Sequence, residues 1–160
     1  MPDSNSRIFN IDDHIGLMVC GRLTDGQVVV ARARSEAESY RKNFGISISG
    51  TTLTTRIANF MQAMTLYGQF RPLGCEIVIA SHDEGENYLY KIENSGSFKG
   101  YFGCSGGKGH QLAKNYLEKI NREKKCEEVL DLISLGIVSA HEEFKEKTYE
   151  LEISWITKNT

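Results

Sequence analysis

The nine residues from Tyr67 to Cys75 constrain the fold most, because they join a helical pattern to a strand pattern through rigid chemistry. Pro72 fixes its own φ and pushes Arg71 into an extended conformation, so a preceding helix must end here. Gly68 and Gly74 leave the backbone free on either side. An apolar run typical of a largely buried strand begins at Cys75. Before the join, apolar residues recur at helical spacing at Leu53, Ile57, Met61 and Met64.

Composition is that of one ordinary globular domain. The chain has 160 residues, of which 40% are hydrophobic and 25% charged, and its formal net charge is −2. A balance this close to neutral argues against a polybasic nucleic-acid surface and against a membrane-binding face. The segment Met1–Ser6 lacks the apolar core of a signal peptide, and no apolar run is long enough to span a bilayer.

The cysteines are too widely spaced for a paired motif. The four residues are Cys20, Cys75, Cys104 and Cys126. Such spacing predicts reduced, mostly buried thiols in a cytosolic or nuclear protein, and it argues against a disulfide framework.

The periodicity of the chain predicts ten elements in the order β-β-α-α-β-β-β-α-α-β, which is an α+β class because the helices come in pairs. Gly45 is placed to end the first helix in a left-handed cap, and the segment Ser49–Thr52 offers hydroxyl caps for the second. Asp25 suits the cap or the first turn of the first helix. The expected bounds are Arg7–Ile11, Ile15–Cys20, Thr24–Phe44, a second helix ending at Tyr67, Cys75–Ser81, Tyr88–Glu93, Gly96–Cys104, Lys108–Glu123, Cys126–Phe144 and Tyr149–Thr157.

Several motifs along the chain resemble the α-type subunits of the 20S proteasome. The Arg71-Pro72-Leu73-Gly74 join is similar to the family's Arg-Pro-aromatic-Gly element, and the closing segment Tyr149–Trp155 most resembles the last strand of the type-3 class. The other matching segments are Arg7–Gly16 with the family's strand-turn-strand, Gly21–Arg34 with its first long helix, and Gly103–Ala113 with its strand-to-helix turn.

This resemblance implies a four-layer αββα sandwich of the N-terminal nucleophile hydrolase type. It also implies that the family domain spans residues 7–157, with a non-family or flexible start at 1–6 and a short tail at 158–160. The family's amino-terminal helix and first strand pair have no counterpart before Arg7, so the chain is interpreted as amino-terminally truncated. Losing a strand pair would bare a sheet edge.

The resemblance further implies a non-catalytic structural role in a ring of α subunits, in the cytoplasm and nucleus. The expected partners are other α subunits, β subunits and a regulatory particle or activator, with no cofactor, nucleic acid or membrane. Arg7 would line a pocket that receives a regulator's terminal carboxylate. Contacts with the β ring are expected at Gln27, Arg32 and Arg34. A surface arginine with no partner is an equally simple interpretation of Arg7, and Arg32 and Arg34 could instead be ordinary solvated charges.

An enzymatic alternative comes from Gly50-Thr51, because active β-type subunits expose a threonine nucleophile after cleavage at such a pair. The residues that follow have a helical pattern, whereas that mechanism needs a strand, and the first lysine after Thr51 is Lys91. A turn that begins a helix is therefore favoured over a catalytic threonine.

Two further ligand sites are disfavoured by spacing. The glycine-rich segment Gly103–Gly109 departs from a Walker loop at both ends and indicates a turn into the third helix. The histidines His14, His82, His110 and His141 lie in different elements, so no metal site is expected.

Overall fold

A computed structural model describes residues 6–120, 126–144 and 151–156. The chain forms two compact units. The first unit consists of Met1–Phe102 with Glu152–Thr160, and the second of Gly103–Leu151.

A five-stranded antiparallel sheet in the order β1-β2-β3-β4-β5 forms the first unit together with two helices. The strands are β1 (Ile8–Asp12), β2 (Ile15–Gly21), β3 (Cys75–Asp83), β4 (Glu86–Ile92) and β5 (Phe98–Gly100), and the helices are α1 (Leu23–Phe44) and α2 (Gly50–Leu66). This confirms the predicted α+β order over these seven elements. The observed fold class therefore agrees with the one predicted from the spacing of apolar residues along the chain.

One face of the sheet packs against α1 and α2. Leu17 of β2 lies opposite Ile79 of β3, and Val19 lies opposite Ile77, all four essentially inaccessible to water. Because side chains alternate along a strand, Met18 and Cys20 lie on the opposite face of the sheet. The helix residues of the same core include Val29, Ala33, Leu53, Ile57 and Met61.

The predicted helix ends between α1 and α2 are confirmed. Gly45 has φ 72° and donates its N–H to the carbonyl oxygen of Arg41. Ser49 accepts a hydrogen bond from the N–H of Thr52, as an N-cap hydroxyl should. The second helix ends at Leu66, ahead of Pro72, as the rigid join requires.

The second unit holds α3 (His110–Leu117) and α4 (Cys126–Phe144). Gly136 lies against the ring of Tyr116, where an added Cβ would approach within 3.3 Å. The Tyr116 hydroxyl lies 2.8 Å from the Ser139 hydroxyl, which ties the two helices together.

The predicted bounds of three elements were wrong. The fifth strand covers Phe98–Gly100 rather than Gly96–Cys104, because Gly96 adopts φ 85° in a turn seated against α2. The third helix begins at His110 rather than Lys108, since Gly109 has φ 78°. In the final predicted strand, Tyr149–Thr157, residues 151–156 form no strand, and the rest lies outside the described residues.

Candidate functional site

Asp25 of α1 holds the Arg71–Gly74 join against the start of that helix. The guanidinium of Arg71 donates from Nη1 to Asp25 Oδ2 at 2.7 Å and from Nη2 to Oδ1 at 2.8 Å. The N–H of Gly74 donates to the same Oδ2 at 2.8 Å. The N–H of Arg22 donates to the carbonyl oxygen of Gly74 at 2.9 Å. These bonds fasten the join to the start of α1 by both its side chain and its backbone.

The electrostatics of this join favour a permanently ionised Asp25. Its carboxylate is buried, while the Arg71 side chain remains 60% exposed. Hydrogen bonding from Arg71, followed by that from the Gly74 N–H, holds the pKa of Asp25 well below its usual range. The bidentate geometry requires the planar fork of arginine, which a lysine could not reproduce.

The close approach of two chain segments completes the join. Gly21 ends β2 with φ 104°, and a Cβ there would lie 2.7 Å from the Gly74 carbonyl oxygen. Sequence reasoning placed Asp25 in a first turn and Arg71 in a motif, without pairing them. Asp25 lies near the start of a helix but is not its N-cap. Its position was the signal in the sequence that its carboxylate could bind another segment.

Arg7 is exposed at the start of β1. Its Nη1 donates to the Gly21 carbonyl oxygen at 2.9 Å, and its backbone N–H donates to Glu152 Oε2 at 2.9 Å. Glu152 also accepts from the N–H of Ile8 at 3.3 Å. The segment that was predicted as the last strand thus meets β1 through a side-chain carboxylate.

The three α1 residues predicted to face a partner point in different directions. Gln27 is exposed. Arg32 forms an ion pair with Glu36, one turn further along α1. Its guanidinium carbon lies 5.6 Å from the centre of the Phe60 ring on α2. Arg34 turns towards β1 and donates from Nε and Nη2 to the Asn10 carbonyl oxygen at 3.1 and 2.9 Å.

Sequence reasoning missed a polar junction beneath the start of α2. Asp83 Oδ2 accepts from the Gly50 N–H at 2.8 Å and from the Ser81 hydroxyl at 3.0 Å. The Nε2 atom of His14 lies 2.9 Å from the Ile48 carbonyl oxygen and 3.4 Å from Asp83 Oδ1. This junction connects two β turns with the loop before α2.

Thr51 lies inside α2 as its second residue. Its hydroxyl is 2.8 Å from the hydroxyl of Tyr90 on β4. Over the part of the chain that the structure describes, no group of histidine, cysteine and carboxylate side chains could hold a metal ion. Likewise, none of the described helices is both long and apolar enough to cross a membrane.

The fold and the site define an α+β protein. The charged residues described above mainly form hydrogen bonds and ion pairs between its own helices, strands and loops. Residues 1–156 match the proteasome subunit family. The chain belongs to that family.

Curated relatives narrow the class within the family. Proteasome subunit alpha type-3 of Dictyostelium discoideum is 45% identical over 98% of the chain, and the chain spans 64% of that relative's length. The alpha type-3 subunit of Arabidopsis thaliana is 40% identical over the whole chain, which spans 65% of its length. That of Drosophila melanogaster is 41% identical over 99% of the chain, which spans 63% of its length. The chain is therefore homologous to α-type subunits.

Proposed function

We propose that the chain is a non-catalytic structural subunit of the α ring of the 20S proteasome. There it contributes to ubiquitin-dependent protein degradation through ring assembly, control of substrate entry and docking of regulatory particles. The observation that carries this proposal is the similarity to alpha type-3 subunits along nearly the whole chain. The environment of Thr51 adds support, because a residue within a helix has an amide nitrogen in place of a free amine.

The proposed fold extends the observed sheet into the four-layer αββα sandwich, with residues 7–157 as the α-type domain. Helices α1 and α2 pack on one face of the sheet. The opposite face carries Met18, Val78 and Leu89, which alternate with the core residues along their strands. The same face also carries the ion pair of Lys91 with Glu76. Its apolar residues favour a further layer over solvent.

The bonds that each arginine makes within the chain indicate how free it is to contact a partner. Arg7 is proposed for a pocket that receives a regulator's carboxyl terminus, since its guanidinium meets only a neutral carbonyl oxygen among the described residues. Gln27, Arg32 and Arg34 are proposed for contacts with the β ring. Arg32 already has an ion pair with Glu36, so Gln27 and Arg34 are the stronger candidates of the three.

The proposed partners are other α subunits, β subunits and a regulatory particle or activator, in the cytoplasm and nucleus. Buried, unpaired Cys20 and Cys75 are compatible with a reducing compartment. No cofactor is proposed.

A threonine-nucleophile peptidase of the same superfamily is the alternative. Its nucleophile would be Thr51, whose hydroxyl instead meets Tyr90 at the start of α2. Neither a freed amine nor a strand start is present at that position, so this alternative is disfavoured.

Affinity purification from the source organism tests the proposal. The tagged chain should elute with 20S-sized particles and with both α and β subunits identified by mass spectrometry. A Thr51→Ala variant should leave fluorogenic peptide hydrolysis by those particles unchanged. Loss of hydrolysis on Thr51→Ala, with retained assembly, would instead support the peptidase. A chain that elutes alone would refute the ring role.

A further inference from the structure

A shallow groove of about 270 Å³ lies between β1 and α1. Ile11 and Ala37 contribute its apolar surface. The other lining residues are charged, namely Asp12, Arg34, Glu38, Arg41 and Lys42. The volume is slightly below the range of about 300–1,000 Å³ that is typical of small-molecule pockets. A single side chain from a protein segment fits an open groove of this size better than a drug-sized ligand.

The charges along the groove do not cancel. Arg41 pairs with Asp12, and Lys42 pairs with Glu38 at 2.6 Å. Arg34 directs two of its donors at the neutral carbonyl oxygen of Asn10. It forms no ion pair with any residue that the structure describes, so its positive charge is left over.

The carboxylate of Asp12 is bonded within the chain and is closed to a partner. Its side chain is 7% exposed, and Oδ1 accepts from Arg41 and from the N–H of Asp13. Oδ2 is buried and has no hydrogen-bond donor within the described residues. A buried carboxylate oxygen without a donor is costly, because it has lost its water. Because Oδ2 is out of reach of an incoming group, the exposed and unpaired charge of Arg34 is what the groove offers to a partner.

We propose that this groove receives an acidic segment of a neighbouring subunit. A carboxylate of that segment pairs with Arg34, which is exposed and forms no ion pair among the described residues. Arginine binds carboxylates through several parallel donors, and Arg34 retains Nη1 for this purpose. The inference rests on the proposed role in a multi-subunit ring, and it specifies the chemistry of the partner that Arg34 meets.

Zero-length cross-linking with a carbodiimide tests the proposal in the assembled particle. An Arg34→Lys variant keeps the charge and introduces an amine that can couple to a carboxylate. Ser35→Lys is the matched control, because Ser35 is the exposed neighbour of Arg34 on α1. We expect the amine introduced at position 34 to couple to an aspartate or glutamate of another subunit, with a yield several-fold above the control. Peptide mass spectrometry identifies the coupled residue.

The outcomes separate this inference from the ring role. If the wild-type chain is absent from the particle, the ring role fails and the inference fails with it. If the chain is present but the introduced amine couples only within its own chain, or no more than the control, the inference alone is overturned.

A second variant tests the proposal without depending on the geometry of carbodiimide coupling. Arg34→Gln removes the charge, and Ser35→Gln serves as its control. We expect the particle to release the Arg34→Gln chain at several-fold lower NaCl concentration than the wild type, because a charge pair is lost. The melting temperature of the isolated chain separates this effect from misfolding. Release at the wild-type salt concentration, with an unchanged melting temperature, contradicts the proposal.

Discussion

At the scale of single residues, the carboxylate of Asp25 connects the start of α1 to the join before β3. It accepts hydrogen bonds from the Arg71 guanidinium and from the Gly74 N–H. Its burial would penalise an ionised carboxylate in the absence of these donors. The Arg-Pro-Leu-Gly join therefore depends on a residue outside the motif.

Replacing Asp25 with alanine should lower the free energy of unfolding by about 1–3 kcal/mol, because charge-assisted bonds are lost and the Gly74 N–H loses its acceptor. Urea unfolding followed by circular dichroism measures this change. Asp13→Ala is the matched control at an exposed carboxylate, and it should leave stability unchanged. Equal effects of the two substitutions would contradict the assigned role of Asp25.

Acid should weaken the same join. The folded-state pKa of Asp25 lies below its unfolded value of about 3.9, mainly because of Arg71. The stabilisation is therefore fully present above the unfolded pKa and is lost as pH falls through the folded pKa. Stability of the wild type should fall more steeply below about pH 4 than that of Asp25→Ala. Parallel pH profiles of unfolding would show that Asp25 does not contribute to this dependence.

Glu84 is strained in the β3–β4 turn. It has φ 51°, and Gly85 beside it has φ 90°. A two-residue turn with both φ values positive favours Asn-Gly, because asparagine tolerates the left-handed region. Glu84→Asn should raise the free energy of unfolding by about 0.5–1 kcal/mol. Glu84→Gln removes the charge but keeps the strain, so an equal gain from it would attribute the effect to charge.

At the scale of elements, α1 and α2 are connected by an alternating row of charges and rings. Glu36 is only 15% exposed and accepts from Arg56 at 2.8 Å, while Arg32 pairs with its other oxygen. The guanidinium carbon of Arg56 lies 5.3 Å from the centre of the Tyr40 ring. Hydrogen bonding from Arg56 lowers the pKa of Glu36, which indicates that its ionised form is the one held between the helices.

Glu36→Gln should lower the free energy of unfolding by about 1–2 kcal/mol, because a largely buried carboxylate loses its charge between two guanidinium groups. Glu38→Gln is the control, since Glu38 is two-thirds exposed and, among the described residues, pairs with Lys42 alone. Thermal unfolding of both variants in low salt compares them. An equal loss in both variants would mean that the row between the helices adds nothing.

Element types were predictable for physical reasons that act over a few residues. The spacing of Leu53, Ile57 and Met61 marks one helix face, and these residues are fully buried in α2. The ends of α3 and β5 were not predictable in the same way. Gly96 and Gly109 were visible in the sequence, but their left-handed conformations depend on the turns in which they lie.

At the scale of the whole molecule, the buried thiols report global unfolding. Cys75 is 3% exposed, and burial raises its pKa to about 11. At pH 8 only about one in a thousand such thiols is ionised, so its reaction with iodoacetamide should be suppressed in the folded protein. In urea, Cys75 should become reactive with the same midpoint as the loss of the circular dichroism signal.

Peptide mass spectrometry reads each cysteine separately. Cys20, which is also buried with a raised pKa, should behave like Cys75. Cys104 is partly exposed and provides the internal comparison. Rapid labelling of Cys75 without denaturant would show that the core around β3 opens well below the global transition.

The sequence by itself determined the α+β class, the paired helices, the cap at Gly45, a hydroxyl cap within Ser49–Thr52, and the resemblance to the proteasome subunit family. These features depend on periodicity and on contacts within one turn of the chain. Only the tertiary structure decided that Asp25 meets Arg71 and that Arg34 turns to Asn10. Such pairings depend on which distant segments the sheet brings together. A donor there must find its acceptor among the groups that the fold places nearby, because buried polar groups are hydrogen-bonded.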